Sequence, residues 1–393
     1  MTRPEPQRGF PDEEFAARTA AAQRAMAAAG LDALLLTTEV EIRYLTGFLT
    51  RFWESPTRPW FVVLPASGKP IAVIPTIGAA AMARTWVEDI RTWSAPDPED
   101  DGVSLLADAL REALGAGGRL GLAEGRETHL RMPLGDFRRL QALLPGVAVA
   151  DATALLHRLR FIKSSREIEK IAHVCDRVSG VFEEAPGWLR AGLSETTVFR
   201  RFKIACLAAG VDDVAYLVGG AGEGGYGDII SPPGERALAA GDVLMLDVGA
   251  VFDGYFCDFD RNFAVGPASQ VVADAHRVLW EATEAGFEAA RPGATCADLF
   301  RAMQAVIADT GFGAEGGEVG RFGHGLGMQL TELVSHSPWD ETELAPGAVL
   351  TLEPSLTLGP GKVMVHEENI VVDEGGARWL TRRAPREIPV LPA

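Results

Sequence analysis

The first half of the chain alternates between short apolar runs and segments with apolar residues at helical spacing. Residues 12–29 open with an acidic turn and end before Gly30, and residues 104–118 have the same spacing with a Gly-rich end, so both predict helices. Apolar runs of strand length occupy residues 31–38, 59–65, 70–76 and 119–125. Strands that alternate with helices indicate a small α/β domain.

The pattern changes after about residue 158. Two helical segments, residues 165–189 and 195–210, are followed by strand-like runs at 215–222 and 242–266, which Gly residues interrupt. A second pair of helices and a second set of strands follow, at residues 273–290, 296–311, 348–355 and 362–372. We therefore predict an α+β chain of two domains, residues 1–158 and 159–393.

Composition indicates a folded enzyme and excludes two classes of partner. The 393 residues are 47% hydrophobic and 23% charged, which is an ordinary globular balance with room for two cores. A net charge of −17 argues against nucleic acids and anionic membranes, because both bind through Lys and Arg. No apolar run has membrane length, no secretory signal precedes residue 15 and the four cysteines show no paired spacing, so we expect a cytoplasmic protein.

Five residues in the second domain form a candidate metal-binding set. Asp247, Glu353 and Glu367 lie in or at the end of apolar runs, where an unpaired carboxylate is costly to bury. With Asp258 and His324 they make an oxygen-rich set with one nitrogen, which suits Mn²⁺, Fe²⁺, Co²⁺ or Zn²⁺. Four carboxylates balance two divalent ions, so we expect a dinuclear site with Mn²⁺ as the first choice.

The order of these motifs resembles the pita-bread metalloenzymes, in the branch of prolidase, aminopeptidase P and creatinase. Asp258 follows Asp247 by eleven positions, and the motifs HGLG, EP and HEEN follow in the order of that superfamily. The segment EVEIRYLTGF is similar to that branch's N-terminal domain, so the resemblance covers essentially the whole chain. It implies that Asp258 and Glu367 bridge two ions, that Asp247 binds one and that His324 and Glu353 bind the other.

The chain departs from the peptidases of this superfamily at two histidines. Seventeen positions before Asp247 and seven after His324, where those enzymes have histidine, stand Ile230 and Thr331. His336 and Glu332 are the candidates to replace them, although a solvated loop position is the plainer interpretation of His336. Asp260 stands where relatives usually have Thr or Ser, and we expect it to support the ligands or join the catalytic groups.

A group of aromatic and basic residues forms the candidate substrate-binding set. Aromatic rings attract onium groups, and arginines bind carboxylates in bidentate fashion. The alternative is that the two tryptophans of this set pack the first domain. The set comprises Arg51, Trp53, Arg58, Trp60 and Tyr226.

The resemblance implies a homodimeric metal-dependent hydrolase similar to Xaa-Pro dipeptidases, in which a metal-bridging hydroxide attacks an amide carbonyl. The alternative is a metal-dependent lyase acting on a small onium substrate such as dimethylsulfoniopropionate, although Gly249 stands where those lyases have a further Asp. A metal-free creatinase-like hydrolase and a non-catalytic binding protein are less consistent with five retained ligands.

Overall fold

The computed structural model describes residues 4–55, 58–115, 117–308, 310–312 and 320–393. The chain packs as two compact units: one is Gln7–Arg160, and the other is Phe161–Ala393 together with residues 4–6. Both contain helices and strands, which confirms the α+β class. Within the described ranges, no helix is long and apolar enough to cross a membrane.

The N-terminal unit contains a mixed six-stranded sheet in the order β4-β3-β2-β1-β5-β6. Its strands are β1 (Ala33–Leu36), β2 (Phe61–Pro65), β3 (Ile71–Pro75), β4 (Asp89–Trp93), β5 (Arg119–Leu122) and β6 (Ala148–Asp151). Its helices are α1 (Asp12–Ala29), α2 (Glu39–Thr46), α3 (Ala79–Met82), α4 (Val103–Leu114) and α5 (Leu134–Leu143), and α6 (Thr153–Phe161) ends at the division between the units.

The two helices predicted for this unit are present: α1 has the predicted bounds, and α4 ends at Leu114, before the Gly-rich end of the predicted segment. Three acidic residues occupy the first turn of α1, and Gly30 ends the helix in the left-handed conformation with φ 66°. Thr38 and Glu41 form a capping box at the start of α2. Leu106 and Leu110 of α4 are fully buried against the sheet, so the amphipathic face of α4 covers one side of it.

The second unit repeats a pair of helices followed by antiparallel strands, which is the predicted order. The first repeat contains α7 (Ser165–Glu184), α8 (Glu195–Ala208), β7 (Asp213–Glu223), β8 (Asp242–Phe252), β9 (Tyr255–Phe256) and β10 (Phe259–Val265). The second contains α9 (Gln270–Ala289), α10 (Cys296–Ala308), β11 (His324–Gly325), β12 (Glu332–Ser335), β13 (Val349–Leu352), β14 (Ser355–Gly359), β15 (Lys362–Val365), β16 (Glu368–Asp373) and β17 (Gly376–Trp379), and β18 (Val390–Leu391) follows.

Two sheets and one hairpin organise the strands of this unit. β18-β10-β8-β7 form one sheet, with β9 paired to β8, and β12-β11-β13-β16-β17 form the other. The predicted strands 348–355 and 362–372 are each interrupted, because β14 and β15 leave the second sheet and pair with each other. Glu353 lies in the first interruption and Glu367 in the second, so these candidate ligands stand where the chain changes sheets.

Candidate metal centre

The imidazole of His324 is held in one orientation by backbone and side-chain contacts. The His324 amide donates to Thr351 Oγ1 at 3.0 Å, and Nδ1 lies 2.9 Å from the carbonyl oxygen of Gly325. Burial lowers the pKa of His324 to about 3, so the ring is neutral. If Nδ1–H donates to that carbonyl, Nε2 keeps its lone pair, and it lies 3.5 Å from Asp258 Oδ2 and 4.0 Å from Glu353 Oε2.

The four candidate carboxylates lie close enough to raise one another's pKa values. Burial, followed by the charge of Glu353, raises the pKa of Asp247 to about 8, and burial raises the pKa of Glu353 to about 7. Burial and the neighbouring carboxylates raise the pKa values of Asp258 and Glu367 well above their ordinary range. The cluster therefore carries strong repulsion whenever all four groups are ionised.

These residues fit divalent metal ions. One donor atom each from Asp258, His324 and Glu367 lies within 4.8 Å of the others. Asp247 Oδ1 and Glu367 Oε1 are buried and have no hydrogen-bond partner among the described residues, which is costly unless a cation binds them. Carboxylate oxygens and one neutral imidazole are a donor set that divalent transition metals accept.

Asp260 and Arg261 position the backbone at Glu367. Asp260 Oδ1 accepts a hydrogen bond from the Glu367 amide at 2.9 Å, and Arg261 Nη1 donates to the Glu367 carbonyl oxygen at 3.1 Å. Asp260 is also the cross-strand partner of Asp247 in the β8–β10 pair. The second oxygen of Asp260 is buried and lacks a hydrogen-bond partner within the described ranges. The hydrogen bond to Glu367 fits the expectation that Asp260 supports the ligands.

Glu332 and His336, the other catalytic candidates, are both engaged in the protein interior. Glu332 Oε2 accepts from Lys163 Nζ at 2.9 Å, and Oε1 accepts from the amide of Met328 at 3.0 Å. His336 is fully buried, its Nε2 lies 2.9 Å from the Thr351 carbonyl oxygen, and burial lowers its pKa to about 4. The expectation that His336 is a solvated loop residue is therefore wrong. The contacts of Glu332 indicate that it holds the loop after His324.

Tyr226 is in the core of the catalytic unit rather than at a substrate surface. Its side chain is 1% exposed, and its hydroxyl accepts from the Val365 amide at 2.6 Å and lies 3.1 Å from Asn262 Oδ1. The only donor of the hydroxyl and one of its acceptor sites are thus engaged inside the protein. The structure thus does not support a substrate contact for Tyr226.

The aromatic residues of the N-terminal unit mostly pack against each other. Trp60 is 1% exposed, with its ring centroid 5.2 Å from that of Phe48 and 5.9 Å from that of Trp53. The guanidinium of Arg131 lies 5.1 Å from the Trp53 ring centroid, so a cation of the protein itself faces that ring. The structure therefore favours the packing alternative for Trp60 over a contact with an onium substrate.

The two arginines of the same set lie nearer the surface. Arg51 is exposed and Arg58 is partly buried, and Pro56 and Thr57 between them lie outside the described residues. A carboxylate-binding role for these arginines remains a prediction.

Two residues that sequence reasoning missed face the carboxylate cluster. Tyr216 on β7 is partly buried, and burial together with the charges of Asp247 and Asp258 raises the pKa of its phenol. Arg321 is close enough for its positive charge to lower the pKa values of Asp258 and Glu353, against the larger effect of burial. The positions of the absent histidines are occupied by Ile230 and Thr331, whose side chains do not ionise near neutral pH. Ile230 is 74% exposed, and Thr331 is partly buried.

The fold and the donor set together define a metal-dependent hydrolase of the pita-bread class. Residues 169–374 match metallopeptidase family M24, and residues 18–162 match the creatinase/prolidase N-terminal domain. The chain belongs to metallopeptidase family M24. This confirms the resemblance found in the sequence.

Similar proteins agree with this assignment. The chain is 30% identical to a probable dipeptidase PepE of Mycobacterium tuberculosis, over 98% of this chain and 99% of the relative. The crystal structure of dipeptidase PepE from Mycobacterium ulcerans is 31% identical, with a TM-score of 0.85 over 98% of this chain and 100% of that chain. A recombinant prolidase from Thermococcus sibiricus shares the fold at 24% identity, with a TM-score of 0.85 over 96% and 99% of the two chains.

The chain is accordingly a metal-dependent, peptidase-like hydrolase that uses divalent ions. The lyase alternative gains no support from these relatives.

Proposed function

We propose that this protein is a dipeptidase that cleaves Xaa-Pro dipeptides with two divalent metal ions. The observation that carries the proposal is the convergence of Asp258, His324 and Glu367, with the nearby charges of Asp247 and Glu353 adding to the rise in the pKa values of Asp258 and Glu367. The dipeptidase relatives favour a small peptide substrate, and the prolidase fold relative suggests proline after the scissile bond.

In this proposal the five residues hold the ions, with Mn²⁺ first and Zn²⁺, Fe²⁺ or Co²⁺ as alternatives. When bound, two such ions lower the pKa of a shared water and stabilise negative charge on a carbonyl oxygen. The neutral imidazole of His324 presents Nε2, and Asp260 holds the backbone amide of Glu367. We also propose that the protein is a homodimer, as the resemblance implies, and that it is cytoplasmic, as the unpaired spacing of its cysteines suggests.

Tyr216 is the residue that we assign as a hydrogen-bond donor in place of the absent histidines. A tyrosine phenol is protonated at neutral pH, and the raised pKa of Tyr216 moves its titration further away, so the hydroxyl is a hydrogen-bond donor beside the carboxylates. A donor at this position favours negative charge that develops on the substrate. Ile230 and Thr331 have side chains that exchange no proton near neutral pH.

The test is proline release from Xaa-Pro dipeptides by protein that has been stripped of metal and reloaded with Mn²⁺. We expect activity to require the metal and to be abolished in His324→Ala and Glu367→Gln, both of which should also bind less metal by elemental analysis. Glu374→Gln is the matched control, because Glu374 is exposed in the turn after β16. Metal-loaded protein that releases no proline from any Xaa-Pro dipeptide would contradict the proposal.

A further inference from the structure

The backbone of Asp258 is held by a side chain from the other sheet of the catalytic unit. β8 pairs with β9 as far as Phe256 and with β10 from Phe259, so Asp258 lies in the gap between the two pairings. Asn369 Oδ1 accepts a hydrogen bond from the Asp258 amide at 3.0 Å, and Asn369 Nδ2 donates to the Asp258 carbonyl oxygen. The side-chain amide thus supplies the acceptor and the donor that a neighbouring strand would otherwise supply.

Asn369 is itself fixed from several sides. It is fully buried on β16, and its Oδ1 also accepts from Cys175 Sγ at 3.4 Å. Its carbonyl oxygen accepts from the amide of Leu380 at 2.9 Å, and its own amide donates to Thr381 Oγ1 at 3.4 Å. Only one orientation of the side-chain amide pairs both backbone groups of Asp258, so the network fixes which end donates and which accepts.

The neighbour of Asn369 on the adjacent strand holds a second candidate ligand. Thr351 is the cross-strand partner of Asn369 in the β13–β16 pair, and cross-strand partners project to the same face of a sheet. Thr351 Oγ1 accepts from the His324 amide at 3.0 Å, and His324 Nε2 lies 3.5 Å from Asp258 Oδ2. Two adjacent side chains therefore hold the backbones of two ligands whose donor atoms face each other.

Asn369 also lies two residues after Glu367. Its bonds to Asp258 tie together the segments that carry the two carboxylates expected to bridge the ions. We propose that Asn369 is a positioning residue, which sets the separation of Asp258 from Glu367 and so determines how tightly the second ion binds. The side chain acts through Asp258 and needs no contact with an ion or with substrate. This inference rests on the proposed function of the same site.

Asn262 offers a matched control. It is also buried, its Nδ2 donates to the Val365 carbonyl oxygen at 2.6 Å, and its Oδ1 accepts from the Tyr226 hydroxyl at 3.1 Å. It therefore joins β10 to β15 through a side-chain amide, as Asn369 joins two segments, but its backbone partner is not a ligand. A purely structural loss should appear in both asparagine variants, whereas a loss of metal binding should appear in one.

The test is calorimetric titration of stripped wild type, Asn369→Ala and Asn262→Ala with Mn²⁺. We expect Asn369→Ala to bind the first ion within about threefold of the wild type and the second roughly 10–100-fold more weakly, the usual cost of losing a group that supports a ligand. Electron paramagnetic resonance of the Mn²⁺-loaded proteins should show a coupled pair of ions in the wild type and in Asn262→Ala. It should show isolated Mn²⁺ in Asn369→Ala.

Activity and a second variant complete the experiment. Proline release from Ala-Pro at limiting Mn²⁺ should fall in Asn369→Ala and return with excess Mn²⁺. Asn369→Ser, whose smaller polar side chain leaves room for a water, provides the same measurement if Asn369→Ala does not fold. A second-ion affinity that is unchanged in the Asn369 variants, or reduced equally in Asn262→Ala, would overturn the assignment. If the wild type binds two ions but releases no proline, the proposed function fails, and the metal titration still decides the role of Asn369.

Discussion

In the metal-free protein, the free energy of unfolding should decrease steeply as the pH rises from about 6 to about 9. Burial raises the pKa of Asp247 to about 8 and that of Glu353 to about 7 in the folded state. In the unfolded chain the pKa values of Asp247 and Glu353 return to their ordinary values of 3.8 and 4.5. At pH 6 the metal-free native state therefore holds protons that the unfolded state has released.

The sign and the magnitude follow from proton linkage. A carboxyl whose folded pKa is raised contributes stability that is fully present below its unfolded pKa and is lost as the pH rises through the folded pKa. At pH 6 the two shifts correspond to about 3 kcal/mol for Asp247 and about 1 kcal/mol for Glu353, and at pH 9 both are near zero. Asp247 and Glu353 alone should thus lower the free energy of unfolding by about 4 kcal/mol over this range. The raised pKa values of Asp258 and Glu367 act in the same direction.

The assay is urea denaturation of stripped protein at pH 6, 7, 8 and 9, with and without saturating Mn²⁺. Metal binds the deprotonated ligands, so the loaded protein should gain more stability from the metal at pH 9 than at pH 6. The double variant Asp247→Asn/Glu353→Gln is the control, because it removes both titrations. A stripped protein whose stability is flat or rises with pH, or a double variant with the wild-type slope, would refute the reasoning.

Three further outcomes are expected. Lys163→Met should lower the free energy of unfolding by about 3–5 kcal/mol in urea denaturation, because Lys163 and Glu332 are 2% and 3% exposed and the carboxylate would lose the positive charge that it faces. Lys163→Met/Glu332→Leu should recover part of this loss. Tyr216→Phe should lower kcat by about 10²-fold at unchanged metal content, measured by steady-state kinetics and elemental analysis, because it removes a donor beside the cluster. Trp60→Ala should destabilise the protein by about 3–5 kcal/mol in thermal unfolding, because its fully buried ring packs against Phe48.

The candidate ligands could be found from the sequence because buried charge is conspicuous in an apolar run. Asp247 interrupts an otherwise apolar run, and Glu353 and Glu367 lie in or at the end of two other apolar runs. Because an unpaired buried carboxylate is costly, a cation shared by all three explains their positions. The first helix of the N-terminal unit was equally accessible, since an acidic first turn and Gly30 mark its two ends locally. Such signals lie within a few residues of what they specify.

The residues that sequence reasoning missed or misplaced depend on pairing between distant segments. Tyr216 reaches the cluster because β7 pairs with β8, and Arg321 does so because β11 pairs with β12. Tyr226 was a candidate for substrate binding, but its hydroxyl accepts a hydrogen bond from the amide of Val365, which is remote in sequence. His336 followed a polar pattern, yet the β11–β12 pairing buries it. Register between strands decides all four positions, and no local pattern records it.

The location of the ligands at changes of sheet explains how the site is kept in shape when it holds no cation. A strand interruption leaves backbone amides without ladder partners, and here neighbouring segments satisfy them. The Glu367 amide donates to Asp260 Oδ1, and the Glu353 amide donates to the Phe322 carbonyl oxygen. Because these bonds and the Thr351 contact of His324 involve no metal, the backbone of the centre is held by the protein itself. After metal removal the backbone should therefore stay folded, while the ionised carboxylates of the centre repel one another. This is why we expect metal removal to cause a pH-dependent loss of stability rather than unfolding.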